Sequence, residues 1–201
     1  MARPPAIEVD TAVRVVLNVQ SLGLTDDQFI RLCSDNRDLR IEMSAHGELI
    51  IMPPPGSKTG KRSSKINQRL ANWTEQDGTG VCFNADTGFT LPNSAKREPD
   101  AAWMSHARWN RIPEKQQEKL APICPDFVVE LRSPSDRLSD IREKMEEYIA
   151  NGAQLGWLLD PFDNCVTIYR AGQAPERIDS PTIILGDPIL SGFKFDFREI
   201  L

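Results

Sequence analysis

The stretch PDFVVELRSPS, residues 125–135, decides the fold of this 201-residue chain. Its part at 126–131 is a nearly continuous apolar run bracketed by acids, which is typical of a central strand buried on both faces of a sheet. A helix is predicted over 138–151, where Gly152 supplies a left-handed C-terminal cap. A second apolar run at 155–159 follows. Strand, helix and strand, with further strands before them, predict a mixed α/β sheet.

Shorter patterns extend the sheet on both sides of this unit. Residues 39–43 and 48–52 flank the turn at Gly47 and predict an N-terminal β-hairpin, because glycine accepts the positive φ of such a turn. Residues 11–20 fit either a helix or a strand, and the segment after 170 predicts edge strands and a loosely held tail. The remaining predicted elements are a capped helix after Thr25, a helix over 57–74, strands over 80–83, 88–91, 100–104 and 165–169, and an irregular or helical insertion over 105–124.

Length and composition narrow the class of protein. The chain has a mass of 22.6 kDa and 40% hydrophobic residues, enough for one domain over 1–201 with its core at about 25–170. It has no apolar run of the roughly 18 residues that cross a membrane, and its first ten residues lack the apolar segment of a secretion signal. Four widely spaced cysteines and only two histidines exclude a disulfide framework and a multi-histidine metal site. We therefore expect a cytoplasmic protein.

Two acids at strand ends are the candidate catalytic and metal-binding residues. Asp100 follows a proline at the start of one predicted strand, and Glu130 lies near the end of another. A buried carboxylate is costly unless it is paired, and two carboxylates with the backbone carbonyl of Leu131 form the hard oxygen site that Mg²⁺ prefers. The alternative is structural, with each acid bonded to backbone amides or paired with Arg132. Asp126 is assigned a structural role, because it lies roughly 13 Å along the strand from Glu130.

Two sets of cations complete the candidate site. Lys144 falls on the flank of the apolar face of its predicted helix, from which its ammonium can point at the strand ends. There it could orient or deprotonate a water or stabilise phosphate charge, with a solvated surface lysine as the alternative. The helix over 57–74 lies in a segment without acids, although the whole chain carries 29 acids against 24 lysines and arginines. Its cations therefore predict a surface for a phosphate backbone, with a solvated helix face as the alternative. These cations are Lys58, Lys61, Arg62, Lys65 and Arg69.

The ordered motifs resemble the Uma-type restriction endonuclease family abundant in cyanobacteria, a branch of the PD-(D/E)xK nuclease superfamily. The resemblance implies a restriction-endonuclease-like fold, with a four-stranded mixed sheet flanked by helices. It also implies hydrolysis of phosphodiester bonds that depends on Mg²⁺, with Mn²⁺ as a substitute. It runs from about residue 39 to 169 and is carried by the segments at 40–42, 47–50, 99–103, 125–136, 144–152 and 157–161.

The same resemblance implies roles for single residues. Asp100 and Glu130 match the metal-binding acids, and Glu42 resembles a further acid near the site. The superfamily's lysine, two residues after the glutamate, is replaced here by Arg132, which cannot act as a base. The role of that lysine then passes to Lys144. Arg132 itself is a candidate nucleic-acid contact, with a structural pairing to Glu130 or Asp136 as the alternative. DNA is the implied substrate, and a homodimer is expected because many such nucleases cut both strands.

Two other functions stay open on the sequence alone. The first is a nucleic-acid-binding or interaction module that has lost catalysis on a nuclease scaffold, which Arg132 and the net charge of −5 favour. The second is a metal-free structural protein, in which Glu130 would be buried in a salt bridge with no cleft beside it. A cleft beside Glu130 is therefore the feature that distinguishes the metal-free structural protein from the endonuclease and the inactive binding module.

Overall fold

The computed structural model describes residues 14–201. The first ten residues, which were predicted not to be a secretion signal, lie outside this described range. The start of the ambiguous segment at 11–20 also lies outside it. The described part of that segment forms a strand. The helices are α1 Asp26–Asp35, α2 Ser57–Asp77, α3 His106–Trp109, α4 Glu114–Gln117 and α5 Leu138–Ala150. The strands are β1 Val15–Asn18, β2 Arg40–Met43, β3 Glu48–Met52, β4 Gly80–Asn84, β5 Phe89–Thr90, β6 Lys96–Arg97, β7 Ala101–Ser105, β8 Phe127–Leu131, β9 Leu155–Asp160, β10 Cys165–Arg170, β11 Glu176–Asp179, β12 Ile183–Leu185 and β13 Lys194–Asp196.

The predicted hairpin is confirmed and forms the middle of a five-stranded sheet. Strands β2 and β3 pair antiparallel, with Met43 opposite Leu49, and the sheet order is β1-β3-β2-β6-β5. The turn needs glycine at position 47 for two reasons. Gly47 has φ +73°, and a Cβ there would come within 2.8 Å of the backbone of Gln20. This hairpin carries Arg40 and Glu42 toward the larger sheet.

The larger sheet has six strands in the order β11-β10-β9-β8-β7-β4 and is mixed. Strands β8 and β9 are parallel and are joined through α5, whereas the other pairs are antiparallel. The alternating side chains of β8 face two cores. Val129 packs in the core that includes Ile66 of α2, and Val128 packs in the core that includes Met145 of α5. Glu130, next to Val129, therefore points to the α5 side.

Local sequence signals explain where the helices begin and end. Thr25 caps α1 with a capping box. The Thr25 side chain accepts a hydrogen bond from the backbone N–H of Gln28, and the Gln28 side chain accepts one from the backbone N–H of Thr25. Helix α2 ends at Gly78, which has a left-handed backbone. Helix α5 is followed by Gly152, whose φ is +109°. No helix within residues 14–201 is both long and apolar enough to span a membrane.

The expectation of a loosely held tail was wrong. The segment after 180 returns to the sheet and buries a row of apolar side chains against the face that α2 covers. The ring of Phe193 stacks on Trp157 of β9, with 5.6 Å between the ring centroids. The hydrophobic core therefore extends well beyond residue 170. The buried tail residues are Ile184, Leu190, Phe193, Phe195, Phe197 and Ile200.

The mixed α/β class with an N-terminal hairpin is confirmed, and the larger sheet has six strands where the resemblance implied four.

Asp126 has a structural role, as predicted. It is 1% exposed and joins β8 to β7 and α3, because it accepts hydrogen bonds from the backbone N–H of Ser105 and from Arg108. The four cysteines are free thiols.

Candidate active site

A cleft of about 1490 Å³ opens where the hairpin meets the ends of β7 and β8. Strands β2 and β3 form one wall, and helices α2 and α5 supply residues to the others. Asp100, Glu130 and Lys144 all line it. The metal-free structural reading required Glu130 to lie in a salt bridge with no cleft beside it. Glu130 does lie in a salt bridge, but the cleft is present, so that reading is not supported.

The two candidate acids, remote in sequence, come together at neighbouring strand ends. Ala101 of β7 pairs with Val129 of β8, so continuing the register by one position sets Asp100 opposite Glu130. Opposite residues of an antiparallel pair have Cβ atoms about 5 Å apart on one face. The backbone N–H of Leu131 donates to Asp100 Oδ2 at 2.7 Å, which fixes the Asp100 carboxylate against the end of β8.

Glu130 is held at one of its two oxygens. Lys144 Nζ lies 2.8 Å from Glu130 Oε1, and the Tyr148 hydroxyl donates to the same oxygen at 3.0 Å. Within residues 14–201, the other oxygen of Glu130 receives no hydrogen bond. Lys144 and Tyr148 are four residues apart on α5, which places both over the end of β8. The prediction that the ammonium of Lys144 reaches the strand ends agrees with this geometry.

Glu42 lies on the other side of Lys144 and has all its oxygens engaged. It is 2% exposed. Its Oε1 accepts from Lys144 at 2.7 Å and from the backbone N–H of Glu98 at 3.0 Å, and its Oε2 accepts from Arg97 at 3.1 Å. Glu42 is therefore the counter-ion that holds Lys144 and Arg97 in place, next to the pair formed by Asp100 and Glu130.

The pKa values of these acids separate for identifiable reasons. Burial raises the pKa of Glu130 to about 7, the charges of Asp100 and Glu42 add to this, and Lys144 opposes it. Burial also raises the pKa of Asp100. Burial opposes ionisation of Glu42 as well, but the charges of Lys144 and Arg97 outweigh it and lower its pKa to about 2. A divalent cation would relieve the unfavourable burial of Asp100 and Glu130.

Lys144 is a fully engaged cation. Its three N–H donors face three acceptors: Glu42 Oε1 at 2.7 Å, Glu130 Oε1 at 2.8 Å and the Glu98 carbonyl at 3.4 Å. Burial favours the neutral amine, yet the charges of Glu130 and Glu42 raise the pKa of Lys144 to about 12. Of the roles that the sequence left open to Lys144, this geometry disfavours deprotonation of a water. Its contacts instead hold the carboxylates of Glu42 and Glu130 in place.

The predicted nucleic-acid contacts on α2 do not face this cleft. Lys58 and Lys61 are exposed, but Arg62 is only 6% exposed and Arg69 is paired with Glu199 through its Nε at 2.8 Å. Lys65 donates to Gln68. The helix face toward the cleft consists instead of small or polar residues: Thr59, Gly60, Ser63, Ser64 and Asn67.

Arg132, the other predicted contact, also points elsewhere. Its Nη1 lies 2.6 Å from Asp160 Oδ2 at the end of β9, and its guanidinium sits over the ring of Phe162. It does not pair with Glu130 within the described residues. Contact of these cations with nucleic acid stays a prediction.

Sequence reasoning missed three residues of the site. Arg40 lies 3.9 Å from Asp100 Oδ1, and the Asn67 side chain donates to the Asp100 carbonyl at 2.9 Å. The third is Tyr148, whose hydroxyl donates to Glu130. The alternation of β2 could have indicated Arg40, since a residue two positions before Glu42 shares its face. Nothing local indicated Asn67, which is 33 positions from its partner.

Side chains at this site could supply only part of the oxygen ligands that a hard divalent cation needs. Asp100 and Glu130 supply two carboxylates, and the unbonded oxygen of Glu130 is available beside the cleft. Within residues 14–201, no group of three or more His, Cys, Asp or Glu side chains is arranged to hold a metal ion. The remaining ligands would therefore be a backbone carbonyl such as that of Leu131, water and substrate oxygens, which is the pattern typical of Mg²⁺.

Comparison with known proteins adds the family. The model of the Uma2 family, described as "Putative restriction endonuclease", matches residues 26–198. A crystal structure of a protein from Anabaena variabilis ATCC 29413, described as a putative nuclease, aligns with a TM-score of 0.72 and 23% sequence identity, over 88% of this chain and 97% of that one. At that identity the likeness shows a shared fold. No curated protein gives a significant match.

Proposed function

The chain belongs to the Uma2 family of putative restriction endonucleases, and from this membership we propose that it is a metal-dependent endonuclease that hydrolyses phosphodiester bonds in DNA. One observation carries the proposal beyond the family. Asp100 and Glu130 face each other at neighbouring strand ends, beside a cleft and with one oxygen of Glu130 unbonded. Burial still opposes the ionisation of both acids despite the ammonium of Lys144, and a divalent cation between them would offset that cost.

We assign Asp100, Glu130 and the Leu131 carbonyl as ligands of Mg²⁺ or Mn²⁺. When bound, such an ion polarises the scissile phosphate and lowers the pKa of a bound water. The chain's own residues prepare the ligands. Lys144 and Tyr148 bind one oxygen of Glu130 and leave the other toward the cleft, and the N–H of Leu131 fixes Asp100.

The charge of the cleft supports a need for metal. Ten acidic residues line it against six lysines and arginines. A phosphate backbone is repelled by such a surface until cations neutralise it. This balance argues against the alternative of an inactive nucleic-acid-binding module in this cleft, because such a module would bind without a metal. Outside the cleft, the exposed Lys58 and Lys61 and the half-buried Lys65 are the cations that we propose for the flanking backbone.

A plasmid cleavage assay tests the proposal. Wild type should nick or linearise supercoiled DNA with Mg²⁺ or Mn²⁺ and leave it intact with EDTA. Asp100→Asn and Glu130→Gln should each lower the rate by about 100-fold or more, since each removes a ligand charge at the reacting centre. Glu143→Gln is the matched control, because Glu143 lines the same cleft, is exposed and makes no ion pair within the described residues. Cleavage that survives EDTA, or equal rates in all three variants, would contradict the proposal.

Two finer proposals concern the assembly and the compartment. A homodimer would place two sites on opposite strands of a duplex, and light scattering of the protein with and without DNA tests it. A cytoplasmic location is supported by the four free thiols, which suit a reducing compartment. Fractionation of cells that express the protein tests the location.

A further inference from the structure

We propose that Arg40 is a catalytic residue that binds a non-bridging oxygen of the scissile phosphate, a role that rests on the endonuclease function proposed above. Hydrolysis adds water to phosphorus and breaks one P–O ester bond, so that an alcohol and a phosphomonoester leave. Negative charge builds on the phosphoryl oxygens in the transition state. Arg40 neither gives nor takes a proton, because its guanidinium stays charged and donates hydrogen bonds only.

The other cations beside the two acids are already committed to buried carboxylates. Lys144 uses its three donors on Glu42, Glu130 and the Glu98 carbonyl. Arg97 is 8% exposed, and its Nη1 and Nε are committed to Glu42 and to Glu147 at 3.1 and 2.6 Å. Neither can bind a phosphate oxygen without leaving a buried carboxylate unpaired, which is costly. The cation for the transition state must therefore come from another position.

Arg40 is the cation beside Asp100 with donors to spare. Its nearest acid oxygens, Glu98 Oε2 at 3.8 Å and Asp100 Oδ1 at 3.9 Å, lie beyond hydrogen-bond distance. Its one hydrogen bond within the described residues goes to the Glu98 carbonyl at 3.4 Å. Four of the five guanidinium N–H groups thus remain available.

The position of Arg40 is also suitable for a substrate contact. Its side chain is 29% exposed and lines the cleft, whereas its backbone is paired within the hairpin opposite Met52. A strand holds a side chain more rigidly than a loop does. A phosphate positioned beside Asp100 and Glu130 would lie next to a guanidinium that is already within 4 Å of one of those acids. The ion pairs of Arg40 with Glu98 and Asp100, at 3.8 and 3.9 Å, orient the guanidinium toward the site and leave its N–H donors free to bind a phosphate oxygen.

Single-turnover cleavage of a labelled duplex with Mg²⁺ tests the role. Loss of one donor to the transition state lowers the rate by about 100- to 1000-fold, so Arg40→Ala should fall in that range and Arg40→Lys should recover only part of it. Arg37→Ala is the matched control, because Arg37 lines the same cleft but donates to the Ser34 carbonyl, away from the acids. It should cleave at the wild-type rate. Millimolar guanidinium should speed Arg40→Ala at least about tenfold and leave the control unchanged.

Other readouts separate this role from a structural one. Calorimetry without DNA should show that Arg40→Ala binds Mg²⁺ at least as tightly as wild type, since a neighbouring positive charge is removed. Weaker Mg²⁺ binding, an unchanged cleavage rate, or an absence of guanidinium rescue in a folded variant would each overturn the role of Arg40 while the endonuclease function stands. Wild type that does not cleave DNA would overturn both. Should Arg40→Ala not fold by circular dichroism, Arg40→Lys decides, and a wild-type rate in it refutes the need for a guanidinium.

Discussion

Replacement of Lys144 by methionine removes the charge that joins two buried carboxylates. Methionine keeps the unbranched length of lysine and its helix propensity, so α5 should persist. The side chain of Lys144 is 13% exposed, and its ammonium lies 2.7 Å from Glu42 and 2.8 Å from Glu130. The variant therefore tests whether this ammonium, rather than the shape of the side chain, holds the site together.

The magnitude follows from what each acid retains. Removing one partner of a buried ion pair costs about 3–5 kcal/mol. Glu42 keeps Arg97 and the N–H of Glu98, and Glu130 keeps Tyr148 and can bind a proton. We therefore expect the lower end, about 3 kcal/mol at pH 8 without metal, which lowers the Tm by about 6–12 °C for a chain of this size.

The loss should also depend on pH in a defined direction. The pKa of Glu130 is raised to about 7 from an ordinary value of 4.5, so its contribution to stability is fully present below 4.5 and is lost as the pH rises through 7. Without Lys144 that pKa rises further, because the ammonium opposes the shift. The variant should therefore lose more stability at pH 8 than at pH 5.5, where Glu130 is protonated in both proteins.

Urea unfolding followed by circular dichroism in EDTA measures these differences. Lys58→Met is the matched control, because Lys58 is an exposed lysine of α2, and it should stay within about 0.5 kcal/mol of wild type. Adding Glu130→Gln to Lys144→Met should regain part of the loss at pH 8. A Lys144→Met variant as stable as wild type at pH 8, or one destabilised more at pH 5.5, would refute this account of the site.

Three further outcomes follow from the same structure. Mg²⁺ binding should release about 0.9 proton at pH 6 and about 0.1 at pH 8, because Glu130 must ionise from a pKa of about 7. Calorimetry in buffers of different ionisation enthalpy measures the number of protons released. Equal release at both pH values would contradict this expectation. Asp100→Asn should bind DNA more tightly than wild type in EDTA, because the acidic cleft loses a charge; fluorescence anisotropy at low salt measures the affinity, and unchanged or weaker binding counts against the repulsion argument. Phe193→Ala should cost about 3–5 kcal/mol in urea unfolding, because the ring is 3% exposed and stacks on Trp157; a loss under about 1 kcal/mol would mean that the tail is not part of the core.

The elements that sequence predicted were those with a local physical cause. Gly47 marks the hairpin because the turn requires a positive φ, which glycine adopts without strain. The pair Thr25 and Gln28 marks the start of α1 because their reciprocal hydrogen bonds form within one turn. Glu130 was found for a similar reason, since an acid inside an apolar strand is rare unless it is paired.

What sequence did not predict depends on contacts between distant segments. Strands were predicted after residue 170, but the burial of this segment was not, because the burial of Phe193 depends on Trp157 of another strand. The hydroxyl bond of Tyr148 to Glu130 follows only from the packing of α5 on β8. Asn67 reaches Asp100 from α2, and no spacing along the chain predicts that contact. Arg40 shares the face of Glu42 by alternation, but its approach to Asp100 follows only from how β2 lies beside β7.

The position of the lysine illustrates why geometry decides such a site. In the superfamily pattern, a lysine two residues after the glutamate shares its strand face by alternation. Here β8 ends at Leu131, so Arg132 leaves the strand and pairs with Asp160 instead. Glu130 still faces α5, and the helix packed on that face delivers Lys144 to within 2.8 Å of it. Because this lysine arrives between two carboxylates, all its donors are consumed, and the site needs Arg40 to supply the positive charge that a less engaged lysine would otherwise bring to the phosphate.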